Sequence, residues 1–299
     1  MRRTMMKVTG DNIGFKLEVF ITNYHRTLTI NGRSGYTYNF VIDWGDNTIE
    51  SYNTYMSTYS HYYTNPGRYV VEIKGMADVM FNNQSVVTKV LHWGGDAFEG
   101  FSAIDSLFYG CNHLNEIPNG RIKRRAGANV TSAYRAFSGC YLRNGIKSEM
   151  FYDFPNLRDF QETFAGSDFS SIPSDIFRYN TNANSFNGTF ASNVSLTTLP
   201  SGLFEYNVKA VDFSNVFFEC RKLSLRNDIF GLDYQNRFFN KSMVFLASFK
   251  VSSFTGTQGT APELWNFNYG NRQVNKTSCF TGHSTESLSN YNSIPAEWR

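Results

Sequence analysis

The sequence predicts a mainly β protein with short helical turns, in which a small β-sandwich is followed by a long repetitive stack. Three observations carry this expectation. From residue 100 onward one phrase, F-x-G-C-x-x-L-x-x-I-P-x-x-[I/L]-F, recurs about seven times. Before residue 75 that phrase is absent, and apolar and polar side chains alternate instead. Gly, Asn and Pro divide the alternating region into short runs, as turns between strands require.

Residues 1–13 read as an N-terminal arm ahead of the first strand, and anchoring of that arm in an assembly is one open role for it. Phe15-Lys-Leu-Glu-Val-Phe-Ile21, Tyr36-Thr-Tyr-Asn-Phe-Val-Ile42 and Tyr69-Val-Val-Glu-Ile-Lys74 each alternate with the period of a half-buried strand. Asn31-Gly32 and Asn65-Pro66-Gly67 supply breaks. Several such strands in so short a stretch imply a small antiparallel sandwich over residues 14–75.

Val41-Ile-Asp43-Trp44-Gly45-Asp46-Asn47-Thr48, then Ser60-His61-Tyr62-Tyr63 and Pro66-Gly67-Arg68-Tyr69, resemble the polycystic-kidney-disease (PKD) type immunoglobulin-like domain. That family's pattern is a W-G-D-G-T turn followed by H-x-Y and P-G-x-Y. The resemblance implies a seven-strand immunoglobulin-like sandwich with Trp44 and Tyr69 in its core. Asn47 stands where the family has Gly, and Asn tolerates the left-handed backbone such a turn needs. Asp43 and Asp46 could ligate calcium or accept hydrogen bonds from turn amides. The second reading is preferred, because no third or fourth oxygen ligand follows at the spacing of a calcium loop.

Residues 76–100 read as a linker and a capping coil. In them Val86-Val-Thr-Lys-Val-Leu-His-Trp93-Gly94 forms a strand that ends in a turn. A terminal coil has only one neighbour and must cover the open end of the stack. Beyond it the repeat anchors are Phe108, Phe137, Phe164, Phe190, Phe217, Phe249 and Phe280, at steps of 29, 27, 26, 27, 32 and 31 residues. Fixed apolar positions at this period mark a leucine-rich-repeat-like solenoid over residues 101–299. Leu114 and Ile117 would face the core from a short strand, which Pro118 ends because it lacks an amide. Ile176 and Phe177 would drop into the core from a helical turn, and Trp298 would close the last coil.

This repeat, preceded by its Trp93-Gly94 segment, is similar to that of the BspA-type leucine-rich-repeat group, which includes Mycoplasma-type lipoproteins. The likeness covers residues 85–299 and is weakest in the copies at Phe217 and Phe249. It implies adhesion at a bacterial surface.

Four cysteines, Cys111, Cys140, Cys220 and Cys279, form no CxxC pair and have no spaced histidine partners, so a zinc site is not expected. Three occupy the fourth slot of the phrase, where Ser167, Asn193 and Ser252 stand in other copies. The slot reads as a place for a small side chain in a tight turn, with buried free thiols favoured over a Cys111–Cys140 bridge. A net charge of +3 among 18% charged residues does not suggest nucleic-acid binding. The cluster Arg121-Ile-Lys123-Arg124-Arg125 could meet a phosphate or acidic glycan, but reads first as a solvated loop.

No stretch is apolar enough to span a membrane, and no secretory signal precedes the first strand. Common catalytic and nucleotide-binding motifs are absent, and acidic residues do not recur at one slot. The expected function is therefore non-enzymatic, without cofactor: adhesion or receptor binding through exposed solenoid loops. The expected setting is a bacteriophage virion surface, as a fibre, decoration or receptor-binding subunit meeting a host-surface protein or glycan. Alternatives are a bacterial cell-surface adhesin and a purely structural virion component packed against other virion proteins. Homo-oligomers are usual for such fibres.

Overall fold

The computed structural model describes residues 12–231 and 236–299, so the expected arm lies almost wholly outside the described residues. The first part is a two-sheet sandwich. One sheet has the order β4(Ile49–Tyr52)-β3(Asn39–Asp43)-β6(Gly67–Met76)-β1(Phe15–Ile21)-β8(Val87–Trp93), and all its pairs are antiparallel. The other is β5(Thr58–Tyr62)-β2(Thr27–Gly32)-β7(Val79–Met80). In β1, Phe15, Leu17, Val19 and Ile21 are all buried while Lys16, Glu18 and Phe20 face outward, as alternation dictates.

Two sequence boundaries move. The sandwich does not end at residue 75: β7 and β8 pair with β2 and β1, making eight strands rather than seven. The linker-and-cap segment 76–100 thus contributes two strands, β7 and β8, to the sandwich. β8 also faces the other way, since Lys89 bridges Glu116 in parallel and the Val90 amide donates to the Glu116 carbonyl at 2.9 Å. One strand therefore ends the sheet and begins the stack.

In the second part, successive coils of chain hydrogen-bond to one another along their backbones. The amides of Phe108, Phe137, Phe164, Phe190, Phe217 and Phe249 donate to Ala136, Thr163, Thr189, Val216, Ser248 and Cys279 at 2.8–3.0 Å. Phe280 donates to the Trp298 carbonyl at 2.9 Å, so Trp298, buried against Phe245, closes the last coil. Most rungs are single parallel bridges, such as Ser132–Asp159–Ser185–Asp212–Val244, and Met243–Val244 with Val274–Asn275 form a two-residue parallel strand pair. The cause is local. Around each anchor the residue two before and usually the residue two after take a positive φ, as at Arg135 (54°) and Gly139 (73°), so extended backbone cannot continue. Short 3-10 turns occur at Leu264–Asn266, Tyr291–Ser293 and Ala296–Trp298.

Stacked phenylalanines run the length of this part. Ring centroids from Phe81 through Phe108, Phe137, Phe164, Phe190, Phe217 and Phe249 to Phe280 lie 5.1–5.9 Å apart, with planes within 24°. Phe15 of β1 stacks on Phe81 at 5.5 Å, so sandwich and stack share one core. A second column, Phe160–Phe186–Phe213–Phe245, runs beside it. Phe81-Asn82-Asn83-Gln84 is a further copy of the phrase that its letters conceal. Asn83 takes the glycine conformation (φ 58°), and the Phe81 amide donates to Leu107 at 2.7 Å.

Candidate functional site

The W-G-D-N-T turn is built by its own side chains. An Asp43 carboxylate oxygen accepts the Gly45 amide at 2.9 Å, and one of Asp46 accepts the Thr48 amide at 3.1 Å. Gly45 and Asn47 hold φ of 83° and 73°. The other Asp46 oxygen meets His61 Nε2 at 2.7 Å, and the His61 ring stacks on fully buried Trp44 at 5.0 Å. Tyr63 is buried and donates its hydroxyl to the Trp44 carbonyl at 3.0 Å, while Tyr69 is only half-buried against it. Among the described residues no group of three or more His, Cys, Asp or Glu could hold a metal ion.

Partial burial would raise the Asp46 carboxyl, but hydrogen bonds from His61 and Thr48 outweigh it and hold the group below its ordinary value. A depressed carboxylate stabilises the fold above its unfolded pKa, and that stability is lost as pH falls through the folded value. Asp46→Asn should therefore remove part of the stability lost below about pH 4. Urea midpoints of both proteins between pH 3 and pH 7 check this, and parallel curves would refute it.

The fourth slot proves to be a donor position. Cys111, Cys140 and Cys220 Sγ, Ser167 Oγ and Asn193 Nδ2 each donate to the carbonyl of the preceding coil's anchor phenylalanine, at 2.7–3.2 Å. His283 does so to Phe249 at 2.8 Å, so the slot selects a donor and not smallness alone. Ser252 is exposed and bonds Glu219 instead. All four cysteines are buried and free, so no Cys111–Cys140 bridge is present. Burial pushes the Cys111 and Cys220 thiols up to about 12, and Cys140 and Cys279 well above their ordinary value. Thiolate is the reactive form. Ellman's reagent should then titrate none of the four in native buffer and all four in guanidinium; a fast native thiol would contradict the packing.

The basic cluster is engaged rather than solvated. Arg125 pairs with fully buried Asp78 at 2.5 Å, Lys123 donates to the Gly95 carbonyl, and Arg124 donates to those of Asp153 and Ala128. Arg121 alone reaches the surface patches, stacking over Tyr152 at 3.4 Å and pairing with Glu149 at 3.4 Å.

Two aromatic–arginine strips cross successive coils. On the anchor side Arg135 lies over Tyr109 and Tyr134 while its Nε meets Glu162 at 2.6 Å, and Arg143 lies over Tyr141. On the side of the [I/L]-F turns, Arg121 covers Tyr152, whose ring meets Tyr179 at 4.4 Å, and Arg178 lies over Tyr206. Tyr141, Tyr179 and Tyr206 remain 37–45% exposed. The turn-side tyrosines Tyr152, Tyr179 and Tyr206 recur every 27 residues in step with the repeat, whereas the anchor-side strip draws its members from different slots. The expected motif residues Trp44, Trp93, Phe108, Phe137, Phe164, Phe190, Phe217 and Trp298 are all buried. Asp43, Gly45 and Asp46 shape the turn. No family model matches this chain, and neither does any curated protein or solved structure.

Proposed function

We propose that the chain is a non-enzymatic receptor-binding or adhesion protein of a virion surface. In this reading the phenylalanine stack is a leucine-rich-repeat-like solenoid and the first part a PKD-like stem. The observation that carries the reading is the pair of exposed tyrosine–arginine strips on a scaffold whose core contains a continuous column of stacked phenylalanines. Tyrosine and arginine provide large contact area at low entropic cost and are the residue types most enriched where binding energy concentrates. A rigid column keeps rings on neighbouring coils in fixed register, so recognition need not order its own surface. The likeness of the repeat to those of bacterial surface proteins supports an envelope partner. Among the described residues no helix is long and apolar enough to cross a membrane.

The test is immunolabelling of purified phage particles and of host cells with antibody raised against residues 76–299. Label on particles supports the virion reading. Label confined to cell envelopes overturns it in favour of a bacterial adhesin.

A further inference from the structure

A cavity of about 300 Å³ lies where the sandwich meets the start of the stack. Phe20, Thr22 and His25 line it from β1 and the turn that follows, Val86 from the approach to β8, and His113 and Asn115 from the coil after Phe108. Junctions between structural parts are favoured places for ligand sites, and the volume falls at the lower end of their range. The walls are pinned by the joint itself. The Phe20 amide donates to the Val86 carbonyl at 2.8 Å, and the Asn115 amide to that of Thr88 at 3.0 Å. Arg68 stands over the Phe20 ring at 4.8 Å and pairs at 2.6 Å with Glu18, which also accepts the Thr88 hydroxyl at 2.9 Å. Thr22 Oγ1 accepts the His25 amide at 3.1 Å and closes the turn. Walls fixed in this way leave little to be ordered on binding.

The lining is apolar with one directional group. Phe20 points outward from β1 and is left 43% exposed, and Val86 adds a second apolar wall. None of the six residues named is Asp, Glu, Lys or Arg, so a charged ligand meets no counter-charge from them. His113 Nδ1 lies 2.6 Å from the Ser85 carbonyl, which can only accept, so Nδ1 carries the proton. Nε2 of the neutral ring is then an acceptor, and it has no partner among the described residues. His113 is exposed, so that acceptor is open to an incoming donor.

We infer that this cavity receives a tryptophan or tyrosine side chain of a partner protein. Each carries one N–H or O–H donor on an otherwise apolar ring, which matches one bare acceptor beside Phe20 and Val86. A hexose suits the cavity less well, because hydroxyls surround its edge and each asks for a partner. Asn115, whose side-chain amide also meets no partner among the described residues, can bond the backbone that brings the ring in. The cavity lies outside both tyrosine–arginine strips, so the inference stands whether or not the strips bind.

The full chain is titrated by NMR with N-acetyltryptophanamide, N-acetyltyrosinamide and N-acetylphenylalaninamide, and with glucose and N-acetylglucosamine as sugar probes. The tryptophan and tyrosine amides are expected to bind about fivefold more tightly than the phenylalanine amide, the net worth of one hydrogen bond. His113→Phe keeps a ring and removes the acceptor, so it should erase that preference and leave the phenylalanine amide within about twofold of wild type. Phe20→Ala should weaken all three amides about tenfold, while Tyr206→Ala on the turn-side strip changes none. Thermal unfolding of each variant identifies any loss of folding, and Phe20, being outward-facing, keeps the test decisive if His113→Phe does not fold. Equal affinity for the three amides in wild type, binding that neither substitution changes, binding of sugars alone, or no binding of any probe would each overturn the site.

Discussion

Replacing Asp78 with alanine should cost about 3–5 kcal/mol, the range for removing one member of a buried ion pair. The side chain is fully buried, and its oxygens meet the Ser102 amide at 2.7 Å and Arg125 Nη1 at 2.5 Å. Its backbone carbonyl accepts the Tyr38 hydroxyl at 2.6 Å and the Arg33 amide at 3.1 Å. This one residue therefore ties the end of β2 and the start of β3 to the loop that carries Arg125. Arg125 is nearly buried, and its Nε and Nη2 have no hydrogen-bond partner, so removal of the carboxylate strands an unsatisfied cation. The neighbouring pair Arg33–Asp105, at 2.9 Å, has the burial reversed, with Arg33 buried and Asp105 partly exposed, while Asp78 and Asp105 each stand three residues before an anchor phenylalanine.

The size of the loss comes from the orphaned charge and not from the strength of the pair, so the double variant decides the mechanism. Asp78→Ala with Arg125→Met should recover most of the lost stability, since replacing both partners removes the stranded cation. Guanidinium unfolding of wild type, both single variants and the double variant measures the cycle. A strictly additive double variant would mean that each side chain contributes through separate contacts.

Much of the stack was legible because its determinants are local and repeated. Phe108, Phe137, Phe164, Phe190 and Phe217 mark the column through a period that no other architecture explains as simply, and Trp44 with Asp46 marks a turn whose hydrogen bonds span two residues. What escaped was encoded by role rather than by letter. Asn83 and Gln84 hide a coil because the position demands a left-handed backbone, which Gly merely supplies most readily. His283 fills the fourth slot because that slot needs a donor toward a carbonyl, for which Cys, Ser and Asn are only the compact solutions. The Asp78–Arg125 pair joins residues 47 positions apart and has no periodic signature, so a charge run read in isolation suggests solvent. The anchor-side strip of Tyr109, Tyr134, Arg135, Tyr141 and Arg143 is invisible for the same reason. Tyr152, Tyr179 and Tyr206 do recur every 27 residues, but only the stacked coils show Tyr152 and Tyr179 in ring contact at 4.4 Å.

The second large effect is expected at the middle of the column. Phe164 is fully buried, stacks on Phe137 at 5.6 Å and Phe190 at 5.9 Å, and meets Phe169 and Phe151 at its edges. Phe164→Ala removes a ring that four others enclose, and should cost about 3–5 kcal/mol as a buried phenylalanine truncation does. The column makes its position matter as much as its size. In a stack where each coil contacts only its neighbours, stability is a sum of coil terms and nearest-neighbour interface terms, so weakening two adjacent interfaces divides the cooperative unit. Calorimetry of Phe164→Ala should show the single transition broaden or split, with the coils after residue 190 melting first, because the N-terminal coils are anchored to the sandwich through Phe15 and Phe81. Phe280→Ala provides the contrast. That ring is also buried but stacks on one neighbour of the column, Phe249 at 5.1 Å, with Trp265 at its edge. It should lower the melting temperature without dividing the transition, since only one interface at the end of the stack is weakened. Equal losses with unsplit transitions in both variants would show that the whole chain unfolds as one unit and that the column does not partition into coils.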